Sequence, residues 1–163
     1  MLSDQTRVTY PPMAYVSYAV THDFLKYSDI PRLTHDHQVR DSLRTLAYIN
    51  IKKFPGGTSS YGKNIQYYYN HYEPFLIDQI ERINPDVVIF GGTYKFFSRR
   101  LNLGPLEKNP LGPSYLQKDG RLYISAYHPD QRTIGKNIYV EGIVSVIKSN
   151  KSVETTAPAT PSP

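Results

Sequence analysis

The chain contains no cysteine and no tryptophan. Without cysteine there is no disulfide framework, no Cys-ligated zinc and no thiol nucleophile. The compartment expected from that absence is the cytoplasm. Long apolar runs are missing too. The longest, such as Pro85 to Gly91, falls far short of the ~20 residues that a membrane-spanning helix needs. The N-terminus lacks a basic stretch followed by an apolar core, so no signal peptide is expected. Neither Gly-Lys-Ser/Thr nor G-x-G-x-x-G occurs, which argues against nucleotide hydrolysis and against a dinucleotide cofactor. His35-Asp36-His37 has the composition of a metal cluster but not its spacing: residues two apart point to opposite sides of a strand and are poorly placed on a helix. It reads as a solvated loop, and neither metal nor cofactor is expected.

What the chain does have is tyrosine and positive charge. Fifteen Tyr stand among 163 residues, and 19 Lys+Arg against 14 Asp+Glu leave a net charge of +5. The length suits one domain, and 39% hydrophobic residues fit a globular protein. The charge is compatible with a phosphate-backbone partner. Tyrosines can stack on bases, although most are expected to pack as half-buried amphipathic residues.

The hydrophobic pattern predicts an α/β domain over 1–148 followed by a disordered Lys/Ser/Thr/Ala/Pro tail over 149–163. A helix is expected from Met13 to Lys26, with Pro12 in its first turn. A strand is expected from Leu43 to Lys52, broken by Phe54-Pro55-Gly56-Gly57. A helical face covers Asn64 to Tyr72, and a second helix runs from Glu73-Pro74 to Ile83. Asp86 to Phe90 is almost wholly apolar, as in a strand buried on both faces. Gly91-Gly92-Thr93 turns the chain into a helix from Tyr94 to Leu101. Residues 102–119 read as irregular, Arg121 to Ala126 as a strand, and Tyr139 to Lys148 as a closing helix. Alternating strands and helices imply a short parallel sheet with helices on both faces, a three-layer α/β/α arrangement.

Four places can carry chemistry. Asn50 closes an apolar run, and its amide offers both a donor and an acceptor to the edge of a uracil-like base; a loop-capping role is the alternative. Gly56 and Gly57, with the hydroxyls that follow, can bring backbone N–H groups close to phosphate, with Lys52 and Lys53 adding charge; a plain turn has the same composition. Gly91 sits between a buried strand and a helix N-terminus suited to anions, or simply allows tight packing there. His128 can donate to an oxygen that gains negative charge, with Arg132 and Lys136 holding phosphates nearby, or it belongs to a surface turn started by Pro129.

The order and spacing of these segments resemble the uracil-DNA glycosylase superfamily over roughly residues 43–148. The carriers are Tyr48-Ile49-Asn50-Ile51-Lys52-Lys53-Phe54-Pro55-Gly56-Gly57, the helix Leu76 to Ile83, the strand Pro85 to Gly92, and His128-Pro129-Asp130 where the family has His-Pro-Ser. The resemblance implies a DNA-binding hydrolase that cleaves the N-glycosidic bond of a flipped pyrimidine without a metal. Asn50 would read the base, His128 would stabilise the departing base anion, Gly56, Gly57, Gly91 and Arg132 would contact substrate, and Lys52, Lys53 and Lys136 would line one DNA groove. The family's water-activating loop, Gly-x-Asp/Glu/Asn-Pro, has no counterpart before Asn50, and neither has its first strand. Weak or absent turnover and self-association are therefore expected. A non-catalytic nucleic-acid-binding module and an unrelated small-molecule α/β enzyme are the alternatives.

Overall fold

A computed structural model describes residues 4–53, 62–110 and 112–154. Helix α1 spans Asp4–Thr21 and includes both Pro11 and Pro12, so it starts well before the expected first turn. Beyond the prolines, Ala14, Val16, Ser17, Tyr18 and Ala19 are buried. It stops at Thr21, short of Lys26, because Asp23 and Phe24 take left-handed conformations with φ of 55° and 58°, which a helix cannot continue through. A 3-10 turn at Tyr27–Asp29 leads to a short helix α2, His37–Asp41, capped by Asp36, whose carboxylate accepts from the Gln38 N–H at 2.8 Å.

The expected strand from Leu43 to Lys52 does not form. Ser42–Thr45 is a 3-10 turn, pinned to α1 by a buried network: Ser17 Oγ donates to Ser42 O at 2.9 Å, and Ser42 Oγ donates to Ala14 O at 3.0 Å. Leu46 is extended, but the residues from there to Lys53 belong to no strand. The alternation nonetheless persists. The Tyr48 ring meets Tyr10 of α1 at 6.2 Å, whereas Ile49 and Ile51 pack with the residues on the other side of the sheet.

Helix α3 is one continuous element, Gly62–Ile83, with Pro74 inside it, where two segments were expected. Tyr69 before the proline and Leu76, Ile77 and Ile80 after it belong to the same buried cluster, and that shared burial offsets the lost backbone bond. Strand β1, Val87–Gly91, follows. Helix α4 is only Tyr94–Phe97 and continues as turns.

Strand β2, Ser114–Lys118, and strand β3, Arg121–Ala126, form a hairpin. Its two-residue turn is Asp119-Gly120, both with positive φ (51° and 74°), the geometry of a type I′ turn. The sheet order is β1-β3-β2, with β1 parallel and β2 antiparallel to β3. The sheet is therefore mixed, not parallel throughout: the hairpin adds a strand inside the stretch that read as irregular.

Alternate residues of β3 sort the core into two halves. Leu122, Ile124 and Ala126 pack with α1 and with helix α5, Lys136–Glu154. Tyr123 packs with α3 and α4 through Phe90, Phe96, Phe97 and Leu76. Helices thus cover both faces of a small α/β sheet. Helix α5 runs past Ser149 into the expected tail, held there by Asn150 Nδ2 donating to Val146 O at 2.8 Å. Among the described residues no helix is long and apolar enough to cross a membrane.

Candidate functional site

Parallel neighbours end on the same side of a sheet, so the chain leaves β1 and β3 at one rim. The register pairs Gly91 with Ala126, and the last rung is the Gly92 N–H donating to Ala126 O at 2.8 Å. Past that rung the loop from Tyr127 to Pro129 lies directly against the two glycines. A Cβ built on Gly91 would stand 3.1 Å from Pro129 Cδ and 3.6 Å from His128 Cα, and one on Gly92 would stand 3.8 Å from the His128 nitrogen. Gly92 has φ +72°, a conformation that other residues adopt only at a cost. The tight turn expected after β1 is thus present, and it abuts the His128 loop.

The loop is built to hold its shape. The Gln131 N–H donates to His128 O at 2.9 Å. The Gln131 side chain then accepts from the N–H groups of Thr133 (2.6 Å) and Ile134 (2.9 Å) and donates to Ile134 O at 3.1 Å. His128 is exposed, and its ring is oriented by the Asp130 N–H, which donates to Nδ1 at 3.1 Å. An Nδ1 that accepts a bond carries no proton in the neutral ring, so Nε2 bears the hydrogen. His128 therefore offers an outward donor beside the backbone of Gly91 and Gly92. Among the described residues no carboxylate forms an ion pair or hydrogen bond with it.

The other candidates are dispersed. Gly56 and Gly57 lie outside the described residues. Asn50 is exposed and lies on the unpaired run between Ile49 and Ile51, not at the end of a sheet strand. Among the described residues it makes no hydrogen bond, to His128 or to any other group. Lys52 and Lys53 turn to α3: Lys52 Nζ lies 5.4 Å from the Tyr68 ring, and Lys53 Nζ donates to Gln79 Oε1 at 3.0 Å. Lys136 turns to α1, with its Nζ 5.9 Å from the Tyr15 ring. These lysines contact helices on opposite faces of the sheet. Arg132 is exposed on the His128 loop.

Two features had no part in the sequence reading. Gln131 organises the loop, a role invisible until the loop is folded. A cleft of about 360 Å³ is lined by Glu73, Arg99 and Arg100. At its edge, Tyr69 Oη donates to Glu73 Oε1 at 3.1 Å. Burial pushes the Tyr69 hydroxyl up to about 12, helped by the bond to Glu73 and opposed by Arg100. The adjacent Arg99-Arg100 pair was the available signal.

Set against known protein families, curated protein sequences and solved structures, the chain matches none.

Proposed function

We propose that this chain is a uracil-DNA-glycosylase-like domain that takes a flipped pyrimidine of DNA at the rim formed by Gly91-Gly92 and the His128 loop. The observation that carries the reading is the Nε2–H of His128, oriented by its own loop and exposed beside the carboxyl ends of two parallel strands. In open α/β sheets that rim is where ligands bind. A neutral imidazole donor facing a base carbonyl stabilises the negative charge that builds on the base as the N-glycosidic bond breaks. Arg132, on the same loop, is the candidate phosphate contact. Asn50, exposed and without a hydrogen bond among the described residues, is the candidate base-reading amide.

A second reading, a base-binding module without catalysis, has its own support. Hydrolysis needs a positioned water, and among the described residues no carboxylate is hydrogen-bonded to the His128 ring to activate one. A general base typically contributes about 10²–10⁴-fold. The expected behaviour is preferential binding of uracil-containing single strands over thymine-containing ones, with turnover slow or absent. A glycosylase assay with alkaline cleavage of abasic sites, run beside a binding assay, tests both. His128→Ala is expected to lower any turnover about 10²–10³-fold, the usual effect of removing one donor to a developing oxyanion. Equal affinity for the two bases in the unsubstituted protein would refute both readings.

A further inference from the structure

Helix α3 carries an aromatic ladder on its solvent side. Tyr67, His71 and Phe75 are spaced four apart, and all three are exposed, Tyr67 at 67% and Phe75 at 53%. At 100° per residue, the buried Tyr69, Leu76, Ile77 and Ile80 mark the opposite side of the helix. Tyr68 and Tyr72 also pack on that core, so Phe75, close to Tyr68 round the helix, borders the core stripe, while Tyr67 and His71 lie on the face turned from it. An amphipathic helix would place charged or small polar residues there. Successive rungs rise about 6 Å, close to twice the ~3.4 Å stacking distance of bases.

Positive charge flanks the ladder. Lys53 Nζ stands 5.6 Å from the Phe75 ring and Lys52 Nζ 5.4 Å from that of Tyr68. Both belong to the run without a sheet partner that follows the Ser42–Thr45 turn. Two carboxylates of α3 are occupied: both oxygens of Asp78 accept from Arg82 Nε at 2.7 and 2.8 Å, and Glu73 accepts from Tyr69 on the side facing Arg99 and Arg100.

We infer that this face of α3 binds single-stranded nucleic acid, with unpaired bases stacking on Tyr67, His71 and Phe75 and the backbone phosphates running along Lys52 and Lys53. The chemistry selects this occupant. Base faces are accessible only in an unpaired strand, stacking on aromatic rings tolerates any base, and a row of ammonium groups tracks a phosphate chain. The inference does not depend on the strand-rim reading, since the ladder lies on a helix and recognises no particular base.

Fluorescence anisotropy with labelled dodecamers of thymidylate and of uridylate, and with a duplex of equal length, tests it. Tyr67→Ala and Phe75→Ala are each expected to weaken single-strand binding about 5- to 100-fold, the range for loss of one stacking platform. Tyr67→Phe keeps a ring and should bind within about twofold of the original, which separates stacking from any loss of folding. Lys52→Ala and Lys53→Ala should each flatten the log–log salt slope by about 0.7. The ladder is read in the affinity for thymidylate and the rim in the preference for uracil over thymine, so failure of the rim and failure of the ladder are distinguishable. The inference is overturned if the duplex binds as tightly as the single strands, if Tyr67→Ala and Phe75→Ala bind as the original does, or if they change only the sedimentation of the protein by itself, which would make the ladder a contact between copies.

Discussion

Gly91 decides whether the rim can close. It sits at the last position of β1, and the missing side chain is what allows Pro129 to approach. An added methyl at 3.1 Å from Pro129 Cδ meets a rigid ring, so the loop carrying His128 has to move. Overpacking of this kind costs about 1–3 kcal/mol. Gly120 is the natural control. It needs its positive φ for the β2–β3 turn, Ala there costs a similar ~1–2 kcal/mol, and nothing at the rim touches it. Urea unfolding should therefore show comparable losses for Gly91→Ala and Gly120→Ala, while only Gly91→Ala reduces discrimination between uracil- and thymine-containing strands. If both variants discriminate as well as the original does, the close approach of glycine and loop has no bearing on binding. Gly91, Gly92 and His128 were legible from the sequence because each ends an apolar run. Tyr67, His71 and Phe75 were not, since a tyrosine-rich helix looks the same whether its rings pack or face water.

The weakest element of the fold is the outer edge of β1. Asp86 O accepts from the Leu122 N–H, and the Gly92 N–H donates to Ala126 O. By strand alternation Val87, Ile89 and Gly91 point their N–H and C=O groups away from β3, and among the described residues no strand meets them. The sheet's other edge is better guarded. There Tyr115 of β2 exchanges both backbone bonds with Glu107, at 2.7 and 3.0 Å. An open edge reading Val-Val-Ile-Phe-Gly, without charge or proline, invites pairing with another chain. Ile89, at 37% exposure, is where a charge can block it. Sedimentation velocity should show concentration-dependent association of the original chain and a single species near 18.7 kDa for Ile89→Lys. A monomer at all concentrations before substitution would show that the edge is protected. The same edge explains what misled the reading of Leu43 to Lys52. Its alternation is that of a strand, but a strand also needs a partner, which a local pattern cannot reveal. The reverse error hid β2. Asp119-Gly120 between alternating residues is a strong hairpin signal, overlooked because the stretch before it is rich in glycine and proline.

At the scale of the whole molecule, the α/β class and the run from β1 through α4 to β3 and α5 were legible, while the mixed sheet and the dispersal of the basic residues were not. Lys52, Lys53 and Lys136 are charges in a sequence; only the fold sets two against α3 and one against α1. For a protein of net charge +5 we therefore propose two separate places for nucleic acid: an aromatic face for any unpaired strand, and a strand rim for one base. The rim is the central claim. Its most direct test is an amide NMR titration with two single-stranded oligonucleotides that differ only in one uracil-for-thymine exchange. Shifts on α3 should be common to both strands. The difference between the two titrations should fall on Gly91, Gly92, Tyr127 and His128. Identical titrations, or a difference confined to residues away from that rim, would contradict the account.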